Sequence, residues 1–540
     1  MKKLLSFILM SKCLLLTLSG FGQDYGKLDA YLGAMAEQKK FIGSILVAQG
    51  DSVVYQNGFG PASANGDEKN SAESQYLIGS ITKTFTAIAV LQLFEKGKLA
   101  LSDPLSKYVS LFPNSEKITI RHLLSHRSGI KNYTDLPDIE SWLGDEISSL
   151  LIVEKVMDYP LAFEPGSMYS YSNTNYILLG IIIEQVSGSD YEKYLNENVL
   201  KPMGLKNTGM NYKKAKELSV GLVPTAEGWT AARKVNKSVP FSAGALYSCT
   251  GDMYTFSKAF FNAEFFESET TYEMMINFDE GSYAFGVFAD QIDEDIFIGH
   301  NGGIDGYAAN WAYFQDLDLH AVVLSNYAGS DNTAVLDAIL HIQSGKEVSI
   351  PEERKAINMS REKLEKTVGL YEIQKGFNLN VFLENEKLMA QASGQGALEL
   401  FAQNDSTFFA TVADIEIVFH MSGNNPATAL TLYQSGGQTK APRIESNKKV
   451  MEIDVADLKV LEGTYTLQEG FELRIFTEGD KLMGQATGQE SFELFAESRK
   501  DFFNQEFGLE ISFSFNENGE TKGLTLYQSG AKFEAEKKQL

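Results

Sequence analysis

Two stretches of this chain are copies of one another, and their spacing limits the architecture more than any other feature. Gly369-Leu370-Tyr371 returns as Gly463-Thr464-Tyr465, Lys387-Leu388-Met389 as Lys481-Leu482-Met483, and Leu432-Tyr433-Gln434-Ser435-Gly436 as Leu526-Tyr527-Gln528-Ser529-Gly530. The glycine markers Gly376, Gly394 and their partners Gly470, Gly488 keep the same offset, so the duplication has no gaps between its markers. Inside each copy, runs such as Asn378-Leu379-Asn380-Val381-Phe382 alternate apolar and polar residues between turn residues, the pattern of half-buried antiparallel strands. Two copies are too few for a solenoid. The pattern therefore predicts two small β domains in series, each a barrel or sandwich, over 363–445 and 457–538.

A third, larger domain must precede them, since 540 residues exceed what one ordinary domain holds. Residues 346–362, with Pro351 and a dense charge cluster, read as a linker, which leaves 23–345 for that domain. The first 22 residues read as an export signal: Lys2-Lys3, an apolar run from Leu4 to Leu18 broken at Ser11-Lys12, and small residues to Gly22. The run is shorter than a membrane span and Lys12 interrupts it. Lys12 is also a poor neighbour for a lipid-bearing Cys13, so lipoprotein anchoring is not expected. Cleavage after Gly22 removes three lysines and no acid, taking the net charge from −24 to −27. So acidic a product is not expected to bind nucleic acid, and no stable membrane insertion is expected after cleavage. The mature chain keeps one cysteine, Cys249, in the small and apolar context Ala243-Gly244-Ala245-Leu246-Tyr247-Ser248-Cys249-Thr250, where packing is the expected role.

Within 23–345 the signals change from strand to helix and back. Phe41 to Tyr55 gives two β-rich runs about a Gly50-Asp51 turn, a hairpin. From Ser80, past a stop at Gly97, the chain reads as mostly helical as far as Asn262; strand signals return from Tyr283 to Asn326, and a helix over 332–342 closes the domain. Strands at both ends of a helical region predict one antiparallel sheet assembled from both ends.

Ser80-Ile81-Thr82-Lys83 opens an apolar, glycine-free helical run. Residues three apart share a helix face, so the Lys83 amine can reach the Ser80 hydroxyl, and the helix N-terminus adds partial positive charge beneath it. This is an arrangement for activating a nucleophile. Spacing alone does not single it out, because Ser128, Ser360, Ser446 and Ser529 begin the same pattern. Gly-x-Ser-x-Gly is absent, against a nucleophile-elbow esterase. His122 and His126 stand four apart but lack the glutamate of a zinc protease helix, and they read as structural histidines at a helix end. No metal site and no cofactor are expected. Two further elements accompany the serine: Tyr171-Ser172-Asn173, in a polar aromatic loop before an apolar helix, and Gly299-His300-Asn301-Gly302-Gly303, where glycines let a substrate lie against a strand.

In order and setting these three elements resemble the serine β-lactamase and penicillin-binding-protein superfamily. The nearer likeness is to the class C β-lactamase-like group that includes D-Ala-D-Ala carboxypeptidases, D-aminopeptidases and some esterases. The strings Ile118-Thr119-Ile120-Arg121-His122-Leu123-Leu124-Ser125-His126-Arg127-Ser128-Gly129 and Tyr176-Ile177-Leu178-Leu179-Gly180 carry the likeness between the motifs, over residues 25–345. The two C-terminal copies resemble lipocalin-like accessory modules. The fold implied is an α/β (α+β) domain, an antiparallel sheet flanked by helices plus a helical region, followed by two small all-β barrel-like domains.

The resemblance makes Ser80 the acylated nucleophile, Lys83 its base and Tyr171 the proton relay. It makes Asn173 a contact to Lys83 and to the substrate amide, and the amides of Ser80 and Gly303, beside Gly302, an oxyanion hole. His300 stands where many members carry lysine, and a histidine is mostly neutral above about pH 6.5. The function expected is an exported serine hydrolase, periplasmic or secreted, that forms an acyl-enzyme on a small amide or ester, first among them a D-amino-acid peptide. A carboxylesterase of the same fold and a non-hydrolytic penicillin-binding sensor are the alternatives, with true β-lactamase activity ranked below. The expected partners are a small-molecule or peptide substrate at the serine and cell wall or glycan at the β copies.

Overall fold

The computed structural model describes residues 25–538 apart from 226–227, 280, 352–354, 376, 394, 411–414, 424, 435–436, 445–450, 469–470, 488–490, 505–508, 517 and 529–530. The stretch 1–22, read as an export signal, and several repeat markers (Gly376, Gly394, Gly470, Gly488, Ser435-Gly436 and Ser529-Gly530) lie outside the described residues. The chain divides into two compact units, residues 1–353 and 354–540. Among the described residues no helix is long and apolar enough to cross a membrane.

The first unit is built on a six-stranded antiparallel sheet drawn from both ends of its sequence. The order across it is Ser52–Phe59, Gly43–Gln49, Leu319–Ser325, Tyr307–Phe314, Asp295–Ile304 and Phe288–Ile292. Gly43–Gln49 pairs with Leu319–Ser325 along its whole length, which joins the N-terminal hairpin to the late strands. Both strands are buried on both faces, and their sequences (Ser-Ile-Leu-Val-Ala and His-Ala-Val-Val-Leu) are mostly apolar, as central strands require. One face is covered by the helices Tyr25–Glu37 and Asn332–Gln343. The first of these is absent from the sequence reading. Gly26 and Gly33 dilute its helical signal, yet Leu28, Tyr31, Leu32 and Met35 form a single buried stripe at helical spacing.

The other face carries the helical region, at whose centre runs the helix Thr82–Glu95. Every residue from Thr82 to Leu93 is buried, so the helix has no solvent face and its polar side chains need partners inside. Thr84 donates to the Gly286 carbonyl at 2.7 Å and Thr86 to the Ser242 carbonyl at 2.7 Å, while Thr82 accepts from the Leu246 amide at 3.1 Å. The helical stretch also holds two short strand pairs, Gln75–Leu77 with Tyr247–Cys249 and Leu222–Thr225 with Gly228–Ala231. The first pair aligns Cys249 inside the core, where burial pushes its thiol up to about 11, a value suited to packing and not to nucleophilic chemistry.

In the second unit the first copy closes into an eight-stranded barrel of consecutive antiparallel strands, from Gly369–Gln374 to Gly437–Ile444. The second copy repeats the same eight-strand order, and a bridge between Tyr465 and Lys537 stands where Tyr371 pairs with Arg443 in the first. Equivalent positions fill both interiors: Val381 and Ile475, Phe408 and Phe502, Phe419 and Phe513, Leu430 and Leu524. Each copy also ties its first strand to the preceding helical turn through a buried tyrosine, Tyr371 to the Thr367 carbonyl at 2.7 Å and Tyr465 to the Leu461 carbonyl at 2.6 Å. The equivalence begins ahead of the sequence markers, because Ile357 donates to the Ala402 carbonyl as Met451 does to Ala496, both at 2.8 Å. Residues 357–362, read from sequence as linker, thus already pack with the first barrel.

Candidate active site

The chain approaches Ser80 through a backbone contact that only glycine permits. Gly79 has φ +49°, and a Cβ there would stand 2.8 Å from the Gly303 nitrogen. Gly302 meets the same segment from the strand side, where a Cβ would stand 2.0 Å from the Ile78 carbonyl oxygen. The two segments therefore lie backbone against backbone. A short 3₁₀ turn, Gly79–Ile81, carries Ser80 into the buried helix, so the serine amide stands at the first turn, where no intrahelical acceptor is available. Gly303 lies across from it in the strand Asp295–Ile304, with open space where a Cβ would stand.

One turn into the helix, Lys83 is fully buried. Its Nζ lies 2.9 Å from Ser80 Oγ, 2.8 Å from Asn173 Oδ1 and 2.7 Å from the Ala243 carbonyl oxygen. No carboxylate is among these partners, and burial pushes the amine well below its ordinary range. The carbonyl groups of Asn173 and Ala243 only accept hydrogen bonds. A neutral amine spends both its N–H groups on them and keeps its lone pair for the Ser80 hydroxyl. The orientation of Asn173 is fixed in turn, because its backbone N–H and its Nδ2 both donate to Asn132 Oδ1, at 2.9 and 3.2 Å.

Tyr171 packs beside this pair, its ring centroid 5.0 Å from Lys83 Nζ. Burial raises the phenol well above its usual range, and a hydrogen bond with the Ser80 side chain works in the opposite direction. His126 lies on the other side of Tyr171, ring centroids 4.2 Å apart. Its Nδ1 accepts from the Ser172 amide at 3.1 Å and from Asn175 Nδ2 at 3.2 Å. The proton therefore sits on Nε2, which is buried without a hydrogen-bond partner among the described residues and is enclosed by the rings of Tyr171, Tyr176 and Tyr283. Burial, then the charge of Lys83 and of His300, keeps this imidazole neutral far below pH 6.5.

His300 occupies the sheet side of the same cluster. Nδ1 donates to the Asn301 carbonyl at 2.5 Å and Nε2 accepts from the Tyr283 hydroxyl at 3.0 Å, so both nitrogens are engaged within the protein. The ring is 2% exposed and its pKa is pushed down to about 3, first by burial and then by Lys83. A cleft opens over Ser80, and His300, like Lys83, Tyr171 and Gly302, is not among the residues that bound it. That cleft, about 250 Å³, is bounded by Ser80, Asn173, Gly303 and the Ala243-Gly244 backbone on one side and by Tyr133, Ile139 and Leu143 on another. At its rim Arg233 bonds Asp305 at 2.6 Å through Nε and Glu140 through Nη1.

Six of the seven residues singled out from sequence meet within this arrangement through side chain or backbone: Ser80, Lys83, Tyr171, Asn173, Gly302 and Gly303. His300 joins them from the sheet side, bonded to Tyr283 and to the Asn301 carbonyl. Of the other Ser-x-x-Lys serines, Ser128 spends its hydroxyl on Asn175 Oδ1 at 2.6 Å, and Ser446 lies outside the described residues. His122 closes a capping box with Thr119, whereas His126 Nδ1 bonds to the Ser172 amide and to Asn175. The site contacts that sequence reasoning missed are the Ala243 carbonyl, which has no side-chain signature, the His126 ring, and the Glu140–Arg233–Asp305 rim.

The comparisons with known proteins agree with this geometry. Residues 28–346 match the family model described as Beta-lactamase, and 353–444 and 447–540 each match a domain of unknown function, DUF3471. A penicillin-binding protein of Bacillus subtilis (strain 168) is 28% identical over 454 residues, covering 77% of this chain and 98% of that protein. The octameric penicillin-binding protein homologue from Pyrococcus abyssi is 26% identical with a TM-score of 0.55, over 77% of this chain and 100% of that one. A D-stereospecific amidohydrolase from Streptomyces sp. is 25% identical with a TM-score of 0.50, over 57% of this chain and 97% of that one. The first match spans more than half of the sequence, and the chain accordingly belongs to the Beta-lactamase family, as a serine hydrolase of the fold shared by β-lactamases and penicillin-binding proteins.

Proposed function

We propose that the protein is an exported hydrolase in which Ser80 attacks the carbonyl of a small amide or ester and forms an acyl-enzyme, with D-amino-acid amides and peptides as the substrate class. The observation that carries this reading is the 2.9 Å contact between a buried, carboxylate-free Lys83 amine and the Ser80 hydroxyl. Lys83 takes the serine proton as the new C–O bond forms, and the carbonyl oxygen moves toward the amides of Ser80 and Gly303. Each such donor is worth about 3–4 kcal/mol in comparable acyl transfers. Tyr171 then passes its proton to the departing amine or alcohol and is reprotonated by Lys83, so that the serine proton ends on the leaving group, and water releases the acyl group by the reverse route.

Substrate polarity follows from charge. A neutral, internally bonded His300 offers no cation for a substrate carboxylate. At the rim, one guanidinium faces two carboxylates, a net charge of −1 that favours a protonated amine over a carboxylate. Both features support an amidase or aminopeptidase over a carboxypeptidase, and a penicillin-type carboxylate is the least favoured ligand. An esterase reading draws on the same neutral site. A serine-directed fluorophosphonate probe tests the reaction class: wild type should label and Ser80→Ala should not. Turnover on D-amino-acid amides, p-nitrophenyl esters and a chromogenic cephalosporin then ranks the substrates, with amides carrying a free amine expected first.

A further inference from the structure

A second cleft, of about 440 Å³, opens at the far end of the same sheet. Its volume lies within the range of roughly 300–1,000 Å³ usual for small-molecule sites. Ile298 lines it, whereas Gly303 of the same strand lines the cleft over Ser80. Five residues of extended chain separate the two, roughly 17 Å. Nothing in the chemistry at Ser80 uses this cleft.

Its floor is a buried hydrogen-bond chain. The Trp311 indole, which can only donate, gives its N–H to Ser257 Oγ at 2.7 Å. Ser257 Oγ also lies 2.7 Å from His320 Nδ1, where its hydroxyl can donate. With the hydroxyl as donor, His320 carries its own proton on Nε2. The residue is 4% exposed, and its ring lines the cleft. An occupant of the cleft can bring an acceptor to this donor.

The walls restrict what that occupant can be. Tyr313 stacks on His320 at 4.4 Å and meets Phe261 at 4.3 Å, and Tyr272 adds a third half-buried ring, so one side of the cleft is aromatic. Lys258 is set against Asp51 at 3.3 Å, and Asp318 accepts from the Tyr313 hydroxyl at 3.0 Å. With one cation against two carboxylates, the lining does not attract an anion. A neutral ligand with an apolar ring face and several hydroxyls matches aromatic rings, fixed acceptors and one buried donor together. We propose that this cleft binds a neutral pyranose sugar, its ring face on the aromatic wall and a hydroxyl oxygen accepting from His320 Nε2.

The test is a titration of the full chain with methyl glucoside, N-acetylglucosamine and cellobiose, followed by calorimetry and by Trp311 emission, which the chain through Ser257 couples to His320. At least one sugar should bind saturably. Phe261→Ala at the rim and His320→Gln at the floor should each weaken binding about tenfold, the scale of one lost hydrogen bond or ring contact. Ser80-dependent ester hydrolysis should stay unchanged in Phe261→Ala, whose fold is checked by its melting temperature. The proposal is overturned by no saturable binding of any of the three sugars, by affinity kept within twofold in folded Phe261→Ala, or by saturation with acetate but not with sugar.

Discussion

Lys83 Nζ lies 2.7 Å from the carbonyl oxygen of Ala243, a residue 160 positions further along the chain and contributed by its backbone alone. That contact and the one to Asn173 take up the donors of a neutral amine and leave its lone pair to Ser80. The amine is also fully buried, and none of these partners carries a charge, which favours the neutral form.

The pH dependence of acylation follows from this geometry. Lys83 must be neutral to accept the serine proton, so the rate should rise with pH and level off below the ordinary lysine range of about 10.4. Lys83→Arg keeps a cation that cannot be deprotonated, and it should lose roughly 10²- to 10⁴-fold, the usual contribution of a general base. Single-turnover rates across the pH range check both points.

Asn173→Asp should move the rising limb to higher pH. The substitution keeps an oxygen near Lys83 but adds a negative charge, which favours the protonated amine and raises its pKa. A limb that stays in place would mean that the amine is not the titrating group.

Adjacent glycines should behave differently. A Cβ added at Gly302 would collide with the Ile78 carbonyl, whereas Gly303 has open space at that position. Gly302→Ala should therefore displace the nucleophile segment and cost at least about 100-fold in kcat/KM, equivalent to about 2.7 kcal/mol. Gly303→Ala should keep the melting temperature and raise KM through crowding of the cleft.

Acid should unfold the catalytic unit early. Burial holds His126, His300 and His320 neutral in the folded protein, the last two down to about 3 and about 4. The unfolded chain takes up these protons below about pH 6.5, so stability falls as pH drops from there toward the folded values, by up to about 1.4 kcal/mol per pH unit for each histidine. Denaturant midpoints between pH 7 and pH 4.5 measure the slope. His126→Asn should reduce it by about one proton and should also slow acylation, because His126 holds the Ser172 amide beside Tyr171. Slower acylation at unchanged stability slope would assign His126 a role in positioning only.

Much of this architecture was legible in the residues. The Gly50-Asp51 turn, the late strands and the repeat were readable because alternation and turn residues are local signals. The barrels followed from the duplication, although their helical preludes lie outside its most similar stretches. Other features had no local signature. The stripe of Leu28, Tyr31, Leu32 and Met35 is broken up by glycines, and the Ala243 carbonyl is a backbone atom. Glu140, Arg233 and Asp305 come from three separate segments. His126 has no sequence signature that marks it as a brace for Tyr171, and only the fold shows that His300, singled out from its motif, is buried with both nitrogens bonded within the protein.

The central claim is that Ser80 carries the acyl group. Its most direct measurement is intact-protein and peptide mass spectrometry after brief exposure to a D-amino-acid p-nitrophenyl ester, quenched in acid. The account predicts one acyl adduct per chain, mapped to the peptide containing Ser80 and absent from Ser80→Ala. Hydrolysis that continues in Ser80→Ala, or an adduct on any other residue, would contradict it.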